Sequence, residues 1–297
     1  MAAINRSTDM TTGSIWKRMV SFAVPVFLGN LCQQLYNTVD SVIVGKFVGK
    51  QALAAVASSG NLIFMMTGFF MGLFIGAGIV IAQYFGARNY EKVRSAVHTD
   101  IAFALCCGVL LTLLGVFFTP TILTWMRTPA DVLDTSILYF RLYFLGSLAT
   151  ILYNAGMGIL QAVGDSRSPL YYLVISSVVN VALDLLFVGA MDMGVAGAAV
   201  ATVISQGVSA VLCIIKLTRS DGPYRLEIKR IGFDLPLLKK ITSQGIPSGV
   251  QNSIIAIANV VVQSNINTFG SDAMAGCGSY SRVEGFAFLP ITCFSMS

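Results

Sequence analysis

Apolar residues fill long stretches of this chain, and polar residues are confined to the gaps between them. A helix needs about 20 mostly apolar residues to cross a bilayer. Runs of that kind lie at roughly Met19–Val44, Leu53–Phe85, Ala96–Phe118, Ile137–Val163, Leu170–Ala190, Val195–Leu217 and Ile241–Phe269, and an eighth opens near Ala273 and is still running at Ser297. The gaps carry turn chemistry: Gly45–Gln51, Gly86–Arg94, Arg127–Asp134, the GDSRSP turn Gly164–Pro169, and Asp192–Gly194. Only Thr218–Asp234 is a long polar connector. The pattern predicts an all-α integral membrane protein, a polytopic helical bundle. The first run is long and contains Asp40, unlike the short apolar core of a cleavable signal peptide, so it is expected to remain as a membrane anchor.

Composition supports this reading. The 297 residues are 55% hydrophobic and only 11% charged, whereas a soluble domain carries about 25% charged residues. Charge placement sets the orientation. Of the 19 Lys and Arg residues, Lys46, Lys50, Arg127 and Arg141 fall on one side and Arg282 falls within the eighth run. All the others fall on the opposite side, so the positive-inside rule places the N-terminus in the cytoplasm of a multi-pass protein of the cell membrane. The aromatics sit inside apolar runs rather than beside basic patches, which excludes a nucleic-acid partner. The partners expected are the lipid bilayer and small organic molecules, with the chain acting as a monomer.

The six cysteines lack metal-ligand spacing, and there is no nucleophile elbow, phosphate-binding glycine loop or zinc motif. An enzyme, an ATP-driven pump and a resident cofactor are therefore not expected. The single histidine, His98, is expected at the surface or the membrane interface.

The first and seventh runs share a register. Pro25 matches Pro247, Asn30 matches Asn252, Asn37 matches Asn259 and Phe47 matches Phe269 at one constant offset. Six helices separate the two starts, and an even number returns the chain to the same side, so the repeat is parallel, as in some secondary transporters. This divides the chain into an N-terminal six-helix lobe (1–217), a cytoplasmic basic linker (218–240) and the first two helices of a second lobe (241–297). On this reading the second lobe is incomplete, as in a fragment.

Ionisable groups inside the bilayer are costly and functional by default. Asp40, Asp184 and Glu284 lie within apolar runs. Asp184 is about 14 residues, or about 21 Å, along the fifth run. Asn180 precedes it by one turn on the same face. Thr202, on the sixth run, and Asp40, late in the first, fall at a similar depth in the outer half of the membrane. Tyr36 and Asn37 are one turn from Asp40 and could join the cluster, with Glu284 as a further accessory. Carboxylate, amide and hydroxyl oxygens suit a hard monovalent cation such as Na⁺. Two neighbouring carboxylates also disfavour each other's ionised form, which suits proton binding.

These segments resemble the MATE (multidrug and toxic compound extrusion) transporters, especially their bacterial branches, over essentially the whole chain. The segments AVPVFLGNLCQQLYNTVDSVIVGKFVG, VVNVALDLLFV with Asn180 and Asp184, GVAGAAVATVIS with Thr202, and SRVEGFAFLPI with Glu284 carry the resemblance. It implies two six-helix lobes, alternating access driven by Na⁺ or H⁺, and a cation site at Asp40, Asn180, Asp184 and Thr202. The function implied is antiport of amphipathic, often cationic drugs. The alternative is a lipid-linked oligosaccharide flippase of related fold, which is expected to need more buried basic residues than Arg282.

Overall fold

The computed structural model describes residues 15–296 and contains no strand among them. Its helices are α1 (Ile15–Phe47), α2 (Lys50–Gly86), α3 (Tyr90–Trp125), α4 (Ala130–Leu145), α5 (Ser147–Ala162), α6 (Arg167–Asp184), α7 (Gly194–Arg219), α8 (Leu235–Asn267) and α9 (Ser271–Met296). Among the described residues, α2, α3, α6 with its extension, α7 and α8 are each long and apolar enough to cross a membrane, as is α4 joined to α5. Large apolar side chains such as Phe117, Trp125, Val178 and Ile254 stand on the outside of the bundle. In water that surface would be unfavourable, and in a bilayer it is the expected contact with lipid.

The turns follow from local chemistry. Gly164 takes a left-handed conformation (φ 86°) that ends α5, and the Asp165 N–H closes the turn on Leu160 O at 2.8 Å. The Asp165 carboxylate then accepts the Ser168 N–H at 3.0 Å and starts α6. Asn89 caps α3 through the Lys92 N–H, and Asp234 caps α8 through the Leu237 N–H.

Two sequence-level expectations change. The run Ile137–Val163 is a broken span: α4 and α5 meet at an angle of 49° about Gly146. The missing Cβ lets Val203 of α7 enter the bend, where an added Cβ would lie 2.5 Å from Val203 Cγ2. Gly146→Ala is therefore expected to cost about 1–3 kcal/mol by overpacking, seen as a fall in thermal midpoint. Second, helices take both ends of the expected 218–240 linker, because α7 runs to Arg219 and α8 begins at Leu235. Pro25 and Pro247 lie inside α1 and α8, and each removes one backbone hydrogen bond from its helix.

The remaining connector is tied to α3. Leu226 is buried, and its N–H donates to Leu217 O at 3.0 Å. The His98 ring is buried beneath the connector instead of lying at the surface. His98 Nδ1 is 2.7 Å from Arg94 O, which can only accept, so that nitrogen carries the hydrogen. Nε2 is then the acceptor for the Glu227 N–H at 3.0 Å. The Asp234 N–H donates to Thr99 Oγ1. His98→Leu leaves the Glu227 amide unsatisfied, at a cost of about 1–3 kcal/mol. Faster amide exchange at Glu227 and Asp234, with the rest of the bundle unchanged, is the expected readout.

Candidate functional site

The candidate site is set by α6, which packs against both α1 and α7, while α1 also touches α7. Each of these helices brings one or two polar groups into a region with almost no water access. Asp184 is 0% exposed, Asn180 1%, Asp40 7% and Thr202 9%. Burying such groups without partners costs several kcal/mol, so their convergence needs a reason.

Asp40 and Asp184 come from different helices, 144 positions apart in the chain (184 − 40). Their carboxyl groups nevertheless lie close enough to interact directly. Neither carboxyl oxygen of Asp184 and neither side-chain atom of Asn180 finds a hydrogen-bond partner in the fold. Asn180 and Asp184 are four residues apart on α6 and so share a face. Thr202 donates its hydroxyl hydrogen to Ala198 O at 3.0 Å, which leaves lone pairs on that oxygen for a guest. The four residues carry carboxylate, amide and hydroxyl oxygens, a donor chemistry that suits a small hard cation.

The accessory residues divide. Tyr36 is on the side of α1 nearer Tyr143 of α4 and Tyr153 of α5, within electrostatic range of both. The Asn37 backbone carbonyl accepts the Ser41 hydroxyl at 2.9 Å. Glu284 is exposed on α9 and is not one of the buried groups. The Arg282 side chain lies outside the described residues. Among the described residues, no three His, Cys, Asp or Glu side chains gather as a transition-metal site would require.

One feature beside the site had no clear mark in the sequence. Directly after Asp184 the helix widens into a π-helix over Leu185–Ala190, and Met191 N–H bonds to Leu186 O at 2.9 Å. Such widened turns are rare and concentrate at functional positions. The only hint is Gly189, within an otherwise apolar run.

Known proteins resemble this chain in sequence and in fold. A family model described as MatE matches residues 25–186. The probable multidrug resistance protein YoeA of Bacillus subtilis is 32% identical over 93% of this chain, which covers 61% of that protein. The probable multidrug resistance protein YpnP of the same organism is 27% identical over 96% of this chain, covering 64% of its length. The chain thus spans about three fifths of the length of these relatives. A structure described as the outward-facing conformation of a multidrug resistance MATE family transporter of the MOP superfamily superposes with TM-score 0.85 at 26% identity, over 98% of this chain and 64% of that one. The inward-facing conformation described in the same words gives TM-score 0.80 at 25% identity, over 88% of this chain and 60% of that one.

Proposed function

This chain belongs to the MatE family, and on that footing we propose that it forms the cation-coupled part of a secondary antiporter that exports amphipathic, often cationic drugs in exchange for Na⁺ or H⁺. The observation that carries the proposal is the meeting of Asp40 and Asp184 from two helices in the interior of the bundle. Two carboxylates buried side by side repel each other, and a visiting Na⁺ or proton relieves that repulsion. Asn180 and Thr202 add neutral oxygens that can replace water around a cation. Because the ion's affinity depends on how α1, α6 and α7 are packed, its binding changes the relative stability of outward- and inward-open states. The wider match to the outward-facing structure supports an outward-open arrangement here.

The finer points of the reading follow from it. The N-terminus lies in the cytoplasm, the protein sits in the cell membrane and works as a monomer, and α1–α7 form one lobe with α8 and α9 opening a second. The relatives' names, multidrug resistance protein in both cases, favour drug export over the oligosaccharide flippase alternative. The test is dye efflux by the intact protein in membrane vesicles, with Na⁺ and pH gradients imposed separately. One of the two gradients should drive efflux. Efflux that needs neither would refute ion coupling.

A further inference from the structure

The connector between α7 and α8 has a built side and an open side. The built side is fixed by buried Leu226 and by the hydrogen bonds to His98 and Thr99 described above. On the open side, Ile228 is 67% exposed, Phe233 50% and Leu235 72%. Arg225, Lys229 and Lys239 are exposed among them. Two of the connector's acids are already engaged. Glu227 pairs with Arg230 at 2.8 Å and with Arg94 at 3.4 Å, and Asp234 caps α8. Apart from exposed Asp221 near the end of α7, what remains outward is cationic and apolar together.

Position decides what covers this face. The connector joins the end of one membrane-crossing helix to the start of the next, so it lies at a bilayer surface whichever side that is. Large apolar side chains held at that level by a fixed backbone reach the acyl boundary, while neighbouring Lys and Arg meet the phosphates. We infer that the connector is a docking surface for anionic phospholipid headgroups. The apolar residues fix its depth, and Arg225, Lys229 and Lys239 select negative charge. Each such residue near the surface is worth about 1 kcal/mol, roughly a fivefold preference.

A tryptophan reporter tests this in the intact protein. Phe233→Trp is introduced with Trp16 and Trp125, the two tryptophans of this sequence, and any other tryptophan of the intact protein replaced by Phe. The protein is reconstituted in phosphatidylcholine nanodiscs doped with either brominated phosphatidylglycerol or brominated phosphatidylcholine. Stronger quenching by the glycerol lipid is expected, weakening with added salt. Its loss is expected in the triple variant Arg225→Gln, Lys229→Gln, Lys239→Gln, which leaves the Glu227 ion pairs in place. Ile228→Trp gives a second reporter should Phe233→Trp disturb the fold. Equal quenching by both lipids would overturn headgroup selection. Quenching by neither would place the connector off the bilayer and open to a soluble partner.

Discussion

Asp184→Asn in the intact protein is expected to reduce drug efflux to the level of vesicles lacking the transporter, with the protein still folded and inserted. The substitution keeps the side chain's shape and removes only its ability to carry charge. Asp184 is fully buried and the group it meets, the Asp40 carboxyl, is another acid, so its negative charge makes no favourable ion pair there. The thermal midpoint should therefore stay or rise, since burying a charge costs several kcal/mol that a neutral amide avoids. Lost function without lost stability separates a coupling group from a structural one. Asp40→Asn should behave alike, because the two carboxyls form one site. Na⁺ or acid should raise the thermal midpoint of the unsubstituted protein by ligand linkage, and that response should vanish in either variant. Sustained efflux in Asp184→Asn, or an unaltered response to both ions, would move the coupling site elsewhere.

Gly72→Leu is expected to be the most damaging single change outside that site. Helices α2 and α8 run antiparallel, with Gly72 against Gly249 and Gly76 against Gly245. A Cβ at Gly72 or Gly76 would fall on the backbone of the opposite helix, well inside the 3.0 Å that real contacts keep. The converse also holds: a Cβ on Gly245 would sit 2.7 Å from Leu73 Cα, and one on Gly249 would sit 2.9 Å from Phe69 O. Close to this seam, the Asn252 side-chain amide donates to Gly68 O at 3.1 Å. In lipid no hydrophobic force holds helices together, so close backbone packing and such hydrogen bonds carry the association. Overpacking a core costs about 1–3 kcal/mol, and here backbone rather than a movable side chain must yield, so a value at or above that range is expected. Gly72→Leu should lower the thermal midpoint sharply and abolish efflux, and Gly72→Ala should weaken both. Gly60→Ala, with open space around it, and Gly78→Ala, whose nearest neighbour would be 3.8 Å away, should leave the protein intact. A stable Gly72→Leu protein would show that the seam is not tight.

The two predictions rest on features of different legibility. The carboxyl cluster was visible in the sequence because charge in an apolar run is conspicuous, and helical rise alone gave a common depth for Asp40, Asn180, Asp184 and Thr202. The pairing of Gly72 with Gly249 was not legible, since nothing local says that Gly72 meets another helix rather than lipid. Gly164 was placed in its turn by local chemistry, but α3 and α8 start at Tyr90 and Leu235, ahead of the apolar runs at Ala96 and Ile241, because Asn89 and Asp234 cap polar first turns that hydropathy does not register. The break at Gly146 was hidden because hydropathy continues across it, and only Val203, far away in the chain, requires it. His98 was read as lying at the surface or the membrane interface, because Glu227, whose N–H its ring accepts, lies 129 residues later in the connector.

The wide winding past Asp184 has a consequence for how this segment can vary. A π-helix over six residues accommodates extra chain in the same rise as an α-helix. Excising one residue, such as the half-exposed Leu186, would let the segment relax into ordinary helix. The wide turn had absorbed that residue, so the chain beyond would keep close to its present direction, with Met191 and the turn into α7 left in place. A one-residue loss in a regular α-helix turns everything beyond it by about 100°; this stretch is where the length of the chain can change without turning the next helix.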